Sequence, residues 1–469
     1  MSRVLVSSAL PYVNNIPHLG NIVGSTLSAD VFTRFLRMAG HNVFFLCGSD
    51  EYGTTTEVKA RKEGLSCEEI CTKYHKMHKE VYDWFNIKFD VFGRTSTKTQ
   101  TEITHEIFFD LYRNGHIESR EIEQMFCSKC NLHLADRYLQ GYCYSEKCAG
   151  LKIVANGDQC DACGSLLDQF KFEEYWCSVC FDKPVKVTTK HLYLKLDNFK
   201  DDLKKYFLST SKIRLSANAK SITKSFLEKG LESRCITRDL KWGTPVPGVD
   251  EFIKYLTEKN IPFDNINMEN LPNLDEFKGK VFYVWFDAPI GYLSILKDGA
   301  GEKWLEWLKC GEIFQFMAKD NVPFHTIIFP ATLMGSNPEK YGLVTCVSST
   351  EYLDYQGQKF SKSKNIGIFG DNVMKISERL GINEDYWRYY LMKIRPEKHD
   401  SSFNWNDFYN VVRGELVSKI GNFINRCIPL TYKYLSSKEQ NGVIEIEYDF
   451  TILPSTSSFS ELDKSSDGN

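Results

Sequence analysis

Eight of the chain's fifteen cysteines fall between Cys127 and Cys180. Cys127 and Cys130, Cys160 and Cys163, and Cys177 and Cys180 are each separated by two residues, the usual spacing of a thiolate knuckle around zinc. Cys143 and Cys148 form a looser pair with four residues between them. A stretch organised around metal builds little apolar core of its own and interrupts whatever fold surrounds it. Eight thiolates make two tetrahedral sites, so up to two structural Zn²⁺ ions are expected. Pairing the first pair with the second and the third with the fourth is the simplest arrangement; nesting the middle pairs inside the outer ones is the alternative. Disulfides would need an exporting signal. Instead Met1-Ser2-Arg3-Val4-Leu5-Val6 runs straight into a strand-like segment, which points to a reducing, cytoplasmic setting. Cys47, Cys67, Cys71, Cys235, Cys310, Cys346 and Cys427 lack such spacing and read as core or surface thiols.

On both sides of the cysteines the pattern is α/β. Residues 4–9 are apolar, a turn follows at 11–17, and Val23, Leu27, Val31 and Phe35 recur every four residues as one helical face. Gly40 stands at a helix stop, and residues 43–47 form a second apolar run. A strand–helix–strand unit predicts a Rossmann-like parallel sheet. Residues 281–286, 326–329 and 343–347 read as its later strands, so the sheet is split by the insertion. The expected division is 1–115 for the first half of the α/β domain and 116–234 for the zinc-knuckle insertion. The second half follows at 235–348, with an acidic, Asn-rich surface excursion at 249–280. A loop and linker region occupies 349–402. The remainder, 403–469, begins an α-helical domain in which Val411, Leu416, Ile420, Phe423 and Ile424 fit one face, and ends in a polar tail. At 469 residues the chain has room for about three domains. No apolar run reaches the ~18 residues of a membrane span. A net charge of −3 means that any RNA contact must come from a local patch.

Two motifs carry chemistry. Pro17-His18-Leu19-Gly20-Asn21 sits where the first strand meets the first helix. Free N–H groups and the dipole of a helix start favour phosphate, Gly20 lets a nucleoside lie against the backbone, and His18 offers a donor. Taken alone, the same residues would equally make a capping turn. Lys359-Phe360-Ser361-Lys362-Ser363-Lys364, after Tyr355-Gln356-Gly357-Gln358, makes a cationic loop able to clamp a triphosphate.

In order and spacing the two motifs resemble the paired signatures of class I aminoacyl-tRNA synthetases. The surrounding blocks narrow the resemblance to the methionyl-tRNA synthetase family, eukaryotic cytosolic or archaeal in flavour, over residues 4 to about 430. They are Ala9-Leu10-Pro11-Tyr12-Val13-Asn14, Gly48-Ser49-Asp50-Glu51-Tyr52-Gly53-Thr54, Arg238-Asp239-Leu240-Lys241-Trp242-Gly243, the stretch from Val284 to Tyr292 and the stretch from Lys319 to His325. Asn21 stands where many class I enzymes have His, and the 249–280 excursion is longer than the family pattern.

The resemblance implies activation of L-methionine by ATP, with Mg²⁺ on the phosphates, and transfer of methionine to tRNA(Met). It implies His18, Asn21, Lys359 and Lys362 as transition-state stabilisers, with Gly20, Ser361 and Ser363 completing the ATP site. A thioether wants aromatic walls and small neighbours, and Ala9, Leu10, Tyr12, Trp285, Ala288, Pro289 and Tyr292 supply them. By family position Asp50 meets the α-ammonium and His325 lies by the side chain. The resemblance also favours nesting: Cys127, Cys130, Cys177 and Cys180 on one ion, and Cys143, Cys148, Cys160 and Cys163 on the other. Asn422 and Arg426 fall at positions that face the anticodon. About 70 residues after Asp400 supply roughly two helices, and the last tryptophan is Trp405, so the chain is expected to end inside its anticodon-binding domain. A monomer is the expected state. A small nucleotidyltransferase would lack the zinc insertion and helical tail, and a non-catalytic RNA-binding paralogue would not need His18, Asp50 and the lysines. Editing synthetases carry a larger insertion of another kind.

Overall fold

The computed structural model describes residues 3–438, apart from 135, 149, 158–159, 161, 164, 166, 310 and 361–365. Ser361, Lys362, Ser363, Cys310 and the polar tail lie outside the described residues.

A parallel sheet of six strands forms the centre, in the order Arg214–Leu215, Cys346–Thr350, Ile313–Ala318, Arg3–Ser8, Asn42–Ser49, Val91–Arg94. Alternate side chains feed two cores, as they must in a sheet covered on both faces. Leu5, Leu46 and Met317 point to one, and Val4, Val6, Phe45 and Phe316 to the other. From Arg3–Ser8 the chain winds outward one way through Asn42–Ser49 to Val91–Arg94, then returns to build the opposite side. The order therefore reverses between Arg3–Ser8 and Ile313–Ala318, and in open α/β sheets ligands bind beyond the carboxyl ends of the strands at such a switch point. Ala9 and Leu10 follow the first of these strands, Asp50 follows Asn42–Ser49, and residues 319–325 follow Ile313–Ala318.

The expected α/β class holds, with corrections to its parts. Of the expected strand at 281–286, only Val281–Phe282 is a strand, antiparallel to Thr237–Arg238. Val284–Asp287 is a helical turn, pinned because the buried Asp287 carboxylate accepts from the Thr104 hydroxyl at 3.1 Å, the Thr244 hydroxyl at 2.9 Å and the Gln100 amide. Residues 326–329 are helical too: Phe324–Ile328 is a wide turn leading into the helix Phe329–Ser336, and the Thr326 hydroxyl bonds back to Val322 O at 3.0 Å. The third expected strand is offset, running Cys346–Thr350.

The excursion at 249–280 is not merely a surface loop. Val249–Glu258 is a helix whose Phe252, Tyr255 and Leu256 are buried against Lys98–Arg113, with the Tyr255 hydroxyl on Asp110 at 2.8 Å. The insertion is also shorter than 116–234. Its long ribbon pairs Ile117–Cys127 with Val185–Leu194, and a three-stranded sheet holds Leu139–Tyr142, Val154–Asn156 and Tyr175–Cys177. The parallel sheet then reclaims the chain at Arg214–Leu215, flanked by the helices Lys200–Leu208 and Ala217–Lys229.

The helical region begins at Trp405–Val411 and continues through Val412–Gly421 to Asn422–Lys438. Of its expected apolar face, Val411 is buried and Leu416 half-buried, while Ile420, Phe423 and Ile424 are exposed. No helix among the described residues is long and apolar enough to cross a membrane.

Candidate active site

A cleft of about 570 Å³ opens at the switch point, lined by Ala9, His18, Gly20 and Asn21 on one side and by Arg238, Trp285 and Asp320 on the other. His18 caps the helix that starts at Leu19. Its Nδ1 accepts from Asn21 N at 3.3 Å, while Asn21 Oδ1 accepts from His18 N at 3.2 Å. A ring nitrogen that accepts carries no proton, so neutral His18 must hold its proton on Nε2, as a donor. Burial pushes its pKa down to about 4, so it is neutral near pH 7. A Cβ at Gly20 would stand 3.0 Å from the His18 ring, so glycine gives that ring its room.

At the base of the cleft lies a recess of about 20 Å³. All the residues expected around methionine line it except Tyr12: Ala9, Leu10, Asp50, Trp285, Ala288, Pro289, Tyr292 and His325. Tyr12 lines the larger cleft and meets the Trp285 ring edge-on at 5.8 Å. Asp50 is buried, its Oδ1 has no hydrogen-bond partner, and burial with Asp287 and Glu51 nearby holds its carboxyl well above the usual range. Such a group waits for a cation. Asn321 and Phe324 complete the recess, and Phe324 stacks on Trp285 at 3.7 Å. Neither was singled out in the sequence, although both fall inside the 319–325 block, and Asn321 lies one helical turn from His325.

Two buried glutamates that the sequence reading passed over hold the walls. Glu51 accepts from Arg94 Nε at 2.7 Å and from the Ser49 hydroxyl at 2.8 Å. Glu57 accepts from Trp242 N at 3.0 Å and the Tyr138 hydroxyl at 2.8 Å, which ties the insertion to the 238–243 block. The Arg238 guanidinium covers the Tyr283 ring at 3.7 Å. Lys359 is exposed at the mouth of its loop. Asn422 and Arg426 are exposed on Asn422–Lys438.

The cysteines form two groups, Cys127, Cys130, Cys177 and Cys180, and Cys143, Cys148, Cys160 and Cys163, in each of which all sulfurs lie within 4.8 Å of one another. Within them Cys127 and Cys180 are 3.4 Å apart, Cys130 and Cys177 3.9 Å, Cys143 and Cys163 3.9 Å, and Cys148 and Cys160 4.0 Å. A tetrahedron with Zn–S near 2.3 Å has edges of about 3.8 Å, whereas a disulfide needs about 2.05 Å. The donor sets therefore fit zinc, and they are nested, which overturns the adjacent arrangement.

The family model described as "tRNA synthetases class I (M)" matches residues 4–428. The chain belongs to this methionyl family of class I tRNA synthetases. It is 52% identical over 450 residues to the methionine–tRNA ligase of Acanthamoeba polyphaga mimivirus, covering 96% of this chain and 77% of that one. Its identity to the probable cytoplasmic methionine–tRNA ligase of Schizosaccharomyces pombe is 46%, covering 94% of this chain and 52% of that one. With the cytoplasmic enzyme of Homo sapiens it shares 46%, covering 90% and 44%. The chain thus spans about half the length of these cellular relatives. In fold it is similar to Mycobacterium tuberculosis methionyl-tRNA synthetase in complex with methionyl-adenylate, with a TM-score of 0.66 at 20% identity, covering 100% of this chain and 77% of that one.

Proposed function

We propose that this chain activates L-methionine with ATP to methionyl-adenylate and pyrophosphate, and then transfers methionine to the terminal adenosine of tRNA(Met). The carrying observation is Asp50, a buried carboxylate with an unpartnered oxygen set in an aromatic recess that adjoins the His18 cleft. Few ligands satisfy both features: an ammonium must sit beside an apolar, polarizable side chain.

The residues then divide the work. Asp50 holds the α-ammonium, and Trp285, Tyr292 and Phe324 enclose the thioether. The carboxylate, already ionised, attacks the α-phosphorus; the bond to the β-phosphate oxygen breaks and pyrophosphate leaves. His18 Nε2–H and the Asn21 side-chain amide donate to phosphate oxygens, and Lys359 and Lys362 offset the charge that grows on them. Mg²⁺ accompanies the ATP phosphates. In the second step the 2′-hydroxyl of the terminal adenosine attacks the carbonyl carbon, the C–O bond to the phosphate breaks with its electrons going to AMP, and the hydroxyl proton passes to the leaving phosphate. The two cysteine groups hold structural zinc, because four thiolates leave no open position for substrate. Asn422 and Arg426 face the anticodon. The protein works in the cytoplasm, as relatives named cytoplasmic do, and as a monomer.

An amino-acid panel in ATP–pyrophosphate exchange tests the reading. Exchange led by methionine, with leucine and isoleucine far weaker, is the expected result; an unresponsive panel, or one led by another amino acid, overturns it.

A further inference from the structure

The two motifs touch in the structure. The His18 ring lies face to face with the Phe360 ring, with centroids 4.4 Å apart and planes 6° apart. Phe369 meets His18 edge-on at 6.2 Å. Phe360 is the apolar member of an otherwise polar, cationic run, and it is half-buried.

Phe360 is itself held. Tyr355 packs near it at 6.2 Å. On another side stands Gly367, whose φ is +119° and where a Cβ would fall 2.3 Å from Phe360 Cδ1. Only glycine satisfies both the backbone angle and the ring. Past Gly367 the chain is sewn to the first motif: Leu19 N donates to Ile368 O at 3.3 Å, and Gly370 N donates to Pro17 O at 2.9 Å. The residues just before and just after 361–365 are thus both anchored on residues 17–19.

Backbone bonds set where His18 sits, and among the described residues one hydrogen bond, from Asn21 N to Nδ1, restrains its ring. A ring on a single hydrogen bond still rotates, and Nε2–H must be aimed before a phosphate arrives. The flat face of Phe360 removes that freedom.

We propose that Phe360 is a positioning residue for the adenylation step: by stacking on His18 it aims Nε2–H into the cleft. The inference rests on the reading given under Proposed function.

The test compares Phe360→Leu, Phe360→Tyr and Gly367→Ala, which displaces the ring without altering it, in methionine-dependent ATP–pyrophosphate exchange. Phe360→Leu and Gly367→Ala should lower kcat about ten- to a hundredfold, the cost of a misplaced catalytic group. Methionine affinity without ATP should be unchanged, and Phe360→Tyr should restore most of the rate. In a His18→Asn background, Phe360→Leu should cost less than about twofold more, because coupled residues are not additive. Full activity in Phe360→Leu, an additive double mutant, or a parallel loss of methionine affinity overturns the proposal. Independently of activity, a proton spectrum of histidine-labelled protein should show His18 ring protons shifted upfield by Phe360 and released in Phe360→Leu. No such shift overturns the stack. Exchange that no amino acid supports overturns the functional reading and the role in adenylation together, while the upfield shift would still report the stack.

Discussion

The Tyr292 hydroxyl lies 2.8 Å from His325 Nε2, and His325 Nδ1 lies 2.8 Å from Asn321 O. A carbonyl only accepts, so Nδ1 carries the proton and Nε2 accepts from Tyr292. Burial holds His325 down to about 4, so this chain of donors stays in one state across the neutral range. Tyr292→Phe removes the one donor to a buried nitrogen. Chemical unfolding should show a loss of about 1–3 kcal/mol, together with weaker methionine binding; unchanged stability would mean that His325 finds another partner.

If Asp50 holds the ammonium, it should give methionine binding a pH dependence. Its carboxyl is raised, first by burial, so lowering the pH protonates it before an ordinary aspartate and removes the charge that the ammonium needs. Affinity should therefore fall as pH drops, and binding should release a proton, read by calorimetry in buffers of different ionisation enthalpy. His325, held near 4, does not contribute a limb near its ordinary value. Asp50→Asn should abolish the dependence and weaken methionine at least about a hundredfold, the cost of an unpaired buried charge. A flat profile in the native protein would sink the assignment.

The Trp285–Phe324 stack walls the recess, so a bound thioether would lie against the indole ring. Methionine should perturb tryptophan emission, and Trp285→Phe should remove most of that signal while keeping the fold. Saturating methionine that leaves the emission unaltered would contradict this.

The sequence made the site's chemistry legible where a residue's place follows from the chain direction. Asp50 and Ala9 come directly after strands, and His18 comes directly before a helix, so strand and helix order alone brings them to one edge of the sheet. Residues 281–286 misled because a short aromatic and β-branched run packs equally well as a buried strand or a helical turn. Buried bonds to Asp287 decided the matter, and those donors come from distant segments. Val249–Glu258 misled differently: its acidic and lysine residues dominate the composition, while three positions on one face carry its burial.

Cysteine pairing was illegible in the spacing because each knuckle supplies only half a site. The ribbon decides it. Phe126 pairs with Val185, so the ends that carry Cys127 and Cys180 must meet, and the inner pairs are left to each other. Metal analysis should therefore find up to two zinc ions. Cys160→Ser with Cys163→Ser should lose one ion, and Cys127→Ser with Cys180→Ser should lose the other. Loss of both ions from a folded first variant would contradict two independent sites.

The helical region allows the two proposed steps to be tested apart. Asn422 and Arg426 are four apart on Asn422–Lys438 and both are exposed, whereas His18, Asp50 and His325 belong to the sheet edge. If the helix meets tRNA, Arg426→Glu replaces an attraction for phosphate or base with a repulsion, without touching the adenylate site. Pyrophosphate exchange should be unaltered, while charging of tRNA(Met) should fall and depend less steeply on salt than in the native protein, because one cationic contact fewer releases fewer counterions. Measuring both steps on one preparation decides the matter. Equal loss in exchange would place the effect in the fold, and undiminished charging would remove Arg426 from the tRNA surface.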